Sequence, residues 1–140
     1  MGEQTVFEIL HNMDKFTNGL IVKWNKMFKE DLGISHVLML GYLMTKGQAR
    51  PSEIAKQLGL TPPTVTHLSE KLVKRQFAIR MQDPNDRRNI LLDITDEGRA
   101  VLERANKEGH ELRSQMFEAL TKQEKEQLLH IYKKLNDHKG

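Results

Sequence analysis

Hydrophobic residues at both ends of the chain recur at intervals of three and four, which is the spacing of amphipathic helices. One stripe runs through residues 5–30 and another through residues 96–137. Within the second stripe, Thr121-Lys-Gln-Glu124 matches a capping box and marks a fresh helix start. On this last helix we expect five residues to face inward: Leu128, Leu129, Ile131, Tyr132 and Leu135.

The middle of the chain predicts three shorter helices. Residues 36–45 are apolar nearly all round, so a buried central helix is expected there, with Ser35 as its N-cap. Pro51 is suited to the first position of the next helix, which Gly59 ends. Thr61 caps a further helix, whose inward face comprises Val65, Leu68 and Leu72.

A short hairpin is predicted after these helices, because apolar and polar residues alternate over residues 77–82 and again over 90–94. Its tip, residues 83–89, contains Pro84, Asn85 and two consecutive arginines. The fold class expected is therefore mainly α with a small β-hairpin wing. A winged helix-turn-helix at about 36–95 would lie within a single domain of residues 1–140, flanked by long helices at about 5–30 and 96–137.

Positive charge is concentrated in the winged segment although the whole chain carries only +3. Between Lys46 and Arg88 there are nine Lys and Arg against four Asp and Glu, which favours a local anionic partner. Cysteine is absent, so disulfides, thiolate zinc sites and a cysteine redox switch are excluded. No signal peptide or apolar membrane span is visible, and a cytoplasmic protein without a membrane partner is expected.

Several motifs together resemble the MarR (multiple antibiotic resistance regulator) family of bacterial transcription factors. The matching residues are Pro51-Ser-Glu-Ile-Ala55 with Leu58-Gly-Leu60, Thr64-Val-Thr66 with Leu72, and Asp83-Pro-Asn-Asp-Arg-Arg88 followed by Leu92, Thr95 and Gly98. The resemblance extends over nearly the whole chain. One departure is Gln76, which stands where the family often has glycine and must adopt the helix-ending geometry without glycine's tolerance of positive φ.

The resemblance implies a sequence-specific DNA-binding regulator, most often a repressor. The major groove is about 12 Å wide and admits one helix. Thr64, Thr66 and His67 are suited to base edges, whereas later basic residues are suited to phosphates. In the family, the arginine matching Arg88 enters the minor groove and the aspartate matching Asp86 holds its guanidinium. The full expected DNA-binding set is Ser52, Thr61, Pro63, Thr64, Thr66, His67, Lys71, Lys74, Arg75, Asp86, Arg87 and Arg88.

The terminal stripes are longer than a winged module can cover. A helical dimerisation region explains them, and the resemblance implies the same homodimer. A two-fold dimer would place two recognition helices about 34 Å apart on a palindrome. The alternative is a helical bundle formed within one chain.

Family members also bind small phenolic or other aromatic molecules between the dimer region and the winged module. Candidate lining residues for such an aromatic or amphipathic effector are His11, Phe16, Trp24, Met39 and Tyr42, although their spacing fits core packing equally well. No metal or other cofactor is expected. The six histidines form no helical ligand pair, and His36, Glu108 and His110 could converge only through tertiary folding.

Two other functional classes compete with DNA binding. A winged-helix adaptor that binds protein would not need basic and hydroxyl residues together on the recognition helix, nor the Asp-Arg-Arg tip. An enzyme is the weaker alternative, because the sequence contains no Ser/His/Asp order, phosphate loop or cofactor fingerprint. We therefore expect a protein that is not an enzyme.

Overall fold

Six helices and one two-stranded hairpin make up the computed structural model, which describes residues 2–138. The elements are α1 (Gly2–Met27), α2 (Ile34–Lys46), α3 (Pro51–Leu58), α4 (Pro62–Lys74), β1 (Ala78–Asp83), β2 (Asp86–Ile94), α5 (Asp96–Phe117) and α6 (Lys122–Asp137). This order confirms the expected winged helix-turn-helix between long terminal helices.

Three threonines begin helices, two of them, Thr61 and Thr121, at the caps expected above. The hydroxyl of Thr61 accepts the N–H of Thr64 at 3.4 Å, and that of Thr95 accepts the N–H of Gly98 at 2.9 Å. At α6 the box is reciprocal, because the hydroxyl of Thr121 accepts the N–H of Glu124 and the Glu124 carboxylate accepts the N–H of Thr121. Each bond satisfies a backbone donor that has no partner within its helix.

The segment between α1 and α2 differs from expectation. The first helix ends at Met27 rather than near residue 30, and the N-cap of α2 is Gly33 rather than Ser35. Nδ1 of His36 accepts the N–H of Gly33 at 3.1 Å, which fixes the earlier start. The indole N–H of Trp24 donates to the carbonyl of Leu32 at 3.0 Å and anchors the segment to α1.

The hairpin is antiparallel, with Ala78 paired to Ile94 and Gln82 to Ile90. Its turn is shorter than the predicted tip of residues 83–89, because β2 already begins at Asp86. Oδ1 of Asp83 accepts the N–H of Asn85 at 2.9 Å and tightens this turn. The alternation predicted the strands correctly; of the alternating apolar residues, Leu92 and Ile94 are buried, whereas Ile79 and Ile90 are exposed.

The core lies mostly within the winged module and the start of α5, and Trp24, Phe28 and Leu32, in and just after α1, join it. Residue 49 joins it to the hairpin, because Ala49 and Leu92 exchange two backbone hydrogen bonds of 3.0 and 2.8 Å. The largest fully buried side chains come from four helices and β2: Met39, Leu40, Leu43, Ile54, Val65, Leu72, Leu92 and Val101. This shared core fixes α4 relative to α2, α3 and α5.

The terminal helices are largely outside that core. Trp24 is the one buried residue of α1, and α6, which is described along its whole length, has none. The expectation that the apolar residues of α6 face inward is therefore wrong for a single chain: Leu128 is half-buried, whereas Leu129, Ile131, Tyr132 and Leu135 are exposed. Among the described residues, no helix is long and apolar enough to cross a membrane.

Candidate nucleic-acid interface

The N-terminal half of α4 presents short polar side chains to solvent. The hydroxyls of Thr61 and Thr64 share a hydrogen bond of 2.7 Å, and the hydroxyl of Thr66 donates to the carbonyl of Pro62 at 3.1 Å. His67 is exposed and its ring has no partner within residues 2–138. The hydroxyls keep free lone pairs, so this end of the helix can accept and donate hydrogen bonds at base edges.

The basic half of α4 is divided between free and paired cations. Nζ of Lys71 lies 2.9 Å from the carboxylate of Asp31. The Arg75 guanidinium donates to the carbonyl of Glu30 at 2.7 Å and to its carboxylate at 3.0 Å. The ammonium of Lys74, by contrast, has no partner among the described residues and is exposed. Of the three basic side chains on this half that were expected to contact phosphate, Lys74 alone forms no ion pair or hydrogen bond with another described residue.

A tight junction connects α4 to the wing. Gln76 has φ +64°, the left-handed geometry that glycine adopts most readily. The N–H of Phe77 donates to the carbonyl of Leu72 at 2.8 Å. The hydroxyl of Thr95 donates to the carbonyl of Gln76 at 2.6 Å. A Cβ on Gly98 would lie 2.1 Å from the carbonyl oxygen of Phe77, so only glycine permits this approach. The wing is thereby held in a fixed position beside α4.

Arg88 projects from the tip of the wing. Its side chain is 90% exposed, and Asp86 accepts hydrogen bonds from its backbone N–H at 3.1 Å and its Nε at 3.3 Å. Asn89 donates to the second oxygen of Asp86 at 3.2 Å. An exposed pair of this kind adds little to stability. Its effect is to orient the guanidinium, which suits insertion into a groove of DNA.

An ion pair at the base of the wing was not anticipated from the sequence. Nη2 of Arg50 lies 2.9 Å from Oδ2 of Asp83, a carboxylate whose residue is buried. The N–H of Asn85, followed by the Arg50 guanidinium, lowers the pKa of Asp83. The pair ties the wing to the start of α3, on which Ser52 is exposed and has no side-chain partner within residues 2–138.

The comparisons with known proteins agree with this arrangement. The model of the MarR family matches residues 34–90. The transcriptional repressor MprA of Escherichia coli strain K12 is 32% identical over 120 residues, which cover 83% of this chain and 68% of MprA. This chain belongs to the MarR family. The resemblance drawn from the motifs is thus confirmed, and with it the class of transcriptional regulator.

Solved structures of the MarR fold extend the likeness to the terminal helices. The YusO protein from Bacillus subtilis has a TM-score of 0.77 and 24% identity, covering 99% of both chains. The PcaV transcriptional regulator from Streptomyces coelicolor, in complex with its natural ligand, has a TM-score of 0.76 and 21% identity, covering 91% of this chain and 90% of PcaV. At these identities the likeness concerns the fold.

This MarR-family chain has a cavity of about 790 Å³ between the long helices and the winged module. Apolar side chains from α1, α2, α4 and α5 line it together with a few polar groups, among them His36, Asn106 and Arg113. Nδ1 of His36 accepts the N–H of Gly33, while its Nε2 is buried without a partner within residues 2–138. Burial lowers the pKa of His36, and the nearby Lys71 ammonium lowers it further, so the neutral ring dominates at pH 7.

The five expected ligand-lining residues are not brought together. Trp24 lines the cavity, but Met39 is fully buried in the core and the hydroxyl of Tyr42 donates to the Glu53 carboxylate at 2.9 Å. Phe16 packs near the Phe117 ring, with centroids 6.0 Å apart, and His11 is exposed farther along α1. Apolar spacing along a helix could not separate the cavity wall from the core.

The positions of the His, Asp and Glu side chains also bear on the metal hypothesis. Within residues 2–138, no group of three His, Asp or Glu side chains lies close enough to hold a metal ion. His36, Glu108 and His110 therefore do not form a metal-ligand group. The sequence, on the other hand, gave no signal for Glu30 and Asp31, whose partners Arg75 and Lys71 are 45 and 40 residues away.

Proposed function

We propose that the chain is a dimeric transcriptional repressor that reads a palindromic DNA site with α4 and the wing. In this arrangement, Thr64, Thr66 and His67 contact base edges in the major groove, and Lys74 contacts phosphate. Arg88 enters the adjacent minor groove. The observation that carries the proposal is the Arg88 guanidinium, held by Asp86 at the wing tip and 90% exposed.

The protein-interaction adaptor is the less well supported alternative. The N-terminal half of α4 is polar and exposed, and Lys74 and Arg88 carry charge on the same module. A surface with hydroxyl groups followed by exposed cations fits a polyanion with readable edges better than an apolar protein groove. The repressor named MprA supports the same choice for this chain.

The uncovered terminal helices support a dimer. Monomeric proteins rarely expose large contiguous apolar patches. Here the exposed apolar residues on α1 and α6 include Val6, Phe7, Ile9, Leu10, Met13, Leu129, Ile131, Tyr132 and Leu135. A helical bundle within one chain would have buried them. A second copy supplies the same stripes in return, as a two-fold interface requires.

The cavity is the site where an effector would act. It combines aromatic and aliphatic walls with the Arg113 guanidinium and the unpartnered Nε2 of His36, which carries the ring proton because Nδ1 accepts a hydrogen bond. A small aromatic or amphipathic molecule fits such a lining. Since Leu68 of α4 belongs to the wall, occupation of the cavity would act directly on the recognition helix and release DNA.

Replacing Arg88 tests the DNA-binding proposal. A duplex site is first selected from a random pool with the wild-type protein, and its affinity is measured by fluorescence anisotropy at fixed salt. Arg88→Ala is expected to weaken binding by about tenfold or more, the scale of a lost specific arginine contact. Arg87→Ala, one residue away, should cost less because it removes at most a phosphate contact. Equal affinity of Arg88→Ala and wild type would overturn the assigned role of the wing.

A further inference from the structure

Glu30 lies at a three-way junction between α1, the recognition helix and α5. One carboxylate oxygen is 3.0 Å from Nη2 of Arg75, at the end of α4, and the other is 2.8 Å from Nη2 of Arg104 on α5. Its backbone carbonyl accepts a further hydrogen bond of 2.7 Å from Arg75. Both carboxylate oxygens are therefore used to connect two helices that are not neighbours in sequence.

The Arg75 guanidinium has more contacts within the chain than a cation that is free to bind phosphate. Besides its two bonds to Glu30, its guanidinium lies 5.1 Å from the centroid of the Phe77 ring, which is buried. Two of its five N–H donors are thus used by Glu30, and the contact with Phe77 restricts the directions in which the other three can point. Lys74, the preceding residue, has an exposed ammonium without a partner in residues 2–138 and is better placed for that role.

The backbone around this junction is unusual. Within residues 2–138, two residues other than glycine have positive φ: Asp31 at 55° and Gln76 at 64°. Asp31 follows Glu30, and Gln76 follows Arg75. Such geometry is uncommon outside glycine and persists where surrounding contacts hold it, often at functional sites. The two residues that carry the junction are thus each placed beside a constrained backbone position.

We propose that Glu30 is a positioning residue that sets the angle of the recognition helix relative to α5. Its side chain is 30% exposed, and ion pairs in that environment contribute little to stability. Their geometric effect is larger, because the tie joins the end of α4 to a long helix of the dimer region. This inference rests on the proposed function. In a dimer, that angle determines the distance between two recognition helices and therefore the half-site spacing that is accepted.

Two duplexes that differ only by one base pair inserted between the half-sites test this role. Wild type should prefer the selected spacing, and Glu30→Gln, which keeps the side chain's size, should reduce that preference by a factor of about five, the scale of coupling between contacting charged groups. Asp31→Asn is the matched control. Its carboxylate is on the same turn but is 88% exposed, and within residues 2–138 it forms an ion pair with Lys71 of α4 and none with α5. The control should keep the wild-type preference.

Arg104→Gln tests the same role independently, because it removes the ion pair between Glu30 and α5 and leaves both Arg75–Glu30 hydrogen bonds in place. It should reduce the spacing preference as Glu30→Gln does, and the double variant should reduce it no further. If Glu30→Gln and Arg104→Gln both discriminate between the duplexes as wild type does, Glu30 has no positioning role. If wild type itself binds neither duplex, the proposed function fails instead, so the two outcomes are distinguishable.

Discussion

Leu72 and Leu135 are both leucines on the apolar face of an amphipathic helix, yet Leu72 is fully buried and Leu135 is 62% exposed. Leu72 belongs to α4, which packs against α2, α3 and β1 within the winged module. Leu135 belongs to α6 (Lys122–Asp137), none of whose residues is fully buried by the rest of residues 2–138. The winged module thus has a core within one chain, whereas the terminal helices carry apolar surface that no other part of residues 2–138 covers.

Replacing each of the two leucines by alanine should reveal this difference most clearly. Leu72→Ala leaves a cavity in the core and is expected to lower the free energy of unfolding by about 2–5 kcal/mol. Leu135→Ala should instead cost stability only at concentrations where the chain is dimeric, because in the proposed dimer the contacts that it removes are between chains. Urea denaturation at several protein concentrations measures both. A similar loss for the two variants at every concentration would contradict the distinction.

A smaller effect is expected at the start of α6. Because this helix has little packing within its own chain, its capping box should matter for its stability. Thr121→Ala removes the oxygen that accepts the N–H of Glu124 and is expected to cost about 1 kcal/mol. Thr121→Ser keeps that oxygen and serves as the control. Helix content followed by circular dichroism on heating would show the difference, and identical melting of the Ala and Ser variants would argue against it.

Local chemistry explains why much of the fold could be predicted. Threonine caps, proline at a helix start and glycine after a helix act within three or four residues, so Thr61, Gly59 and Thr121 mark their positions without tertiary information. The positive φ expected at Gln76 came instead from the resemblance to the family, which often has glycine at this position. Ser35 is the instructive failure. It is a good capping residue, but the ring of His36 accepts the N–H of Gly33 and moves the cap two positions earlier.

Contacts distant in sequence explain what could not be predicted at the candidate site. Lys71 and Arg75 look like phosphate contacts because they are basic residues on a recognition helix. Their pairing with Asp31 and Glu30 depends on how α1 ends and turns, which no pattern around residue 75 reveals. Four of the five ligand candidates lie outside the cavity for a related reason. Met39 and Trp24 share an apolar character, but only the fold places Trp24 against the cavity and Met39 in the core.

The mass of the protein in solution tests the central claim most directly. Sedimentation equilibrium at micromolar concentration should give a mass of twice the 16.3 kDa of one chain. Replacing both Ile131 and Leu135 by glutamate should lower the measured mass toward that of a single chain. The winged module should remain folded in that variant, since neither residue contributes to its core. A wild-type mass of 16.3 kDa, with the helices intact, would contradict the account, because the apolar stripes on α1 and α6 would then have no second copy to cover them.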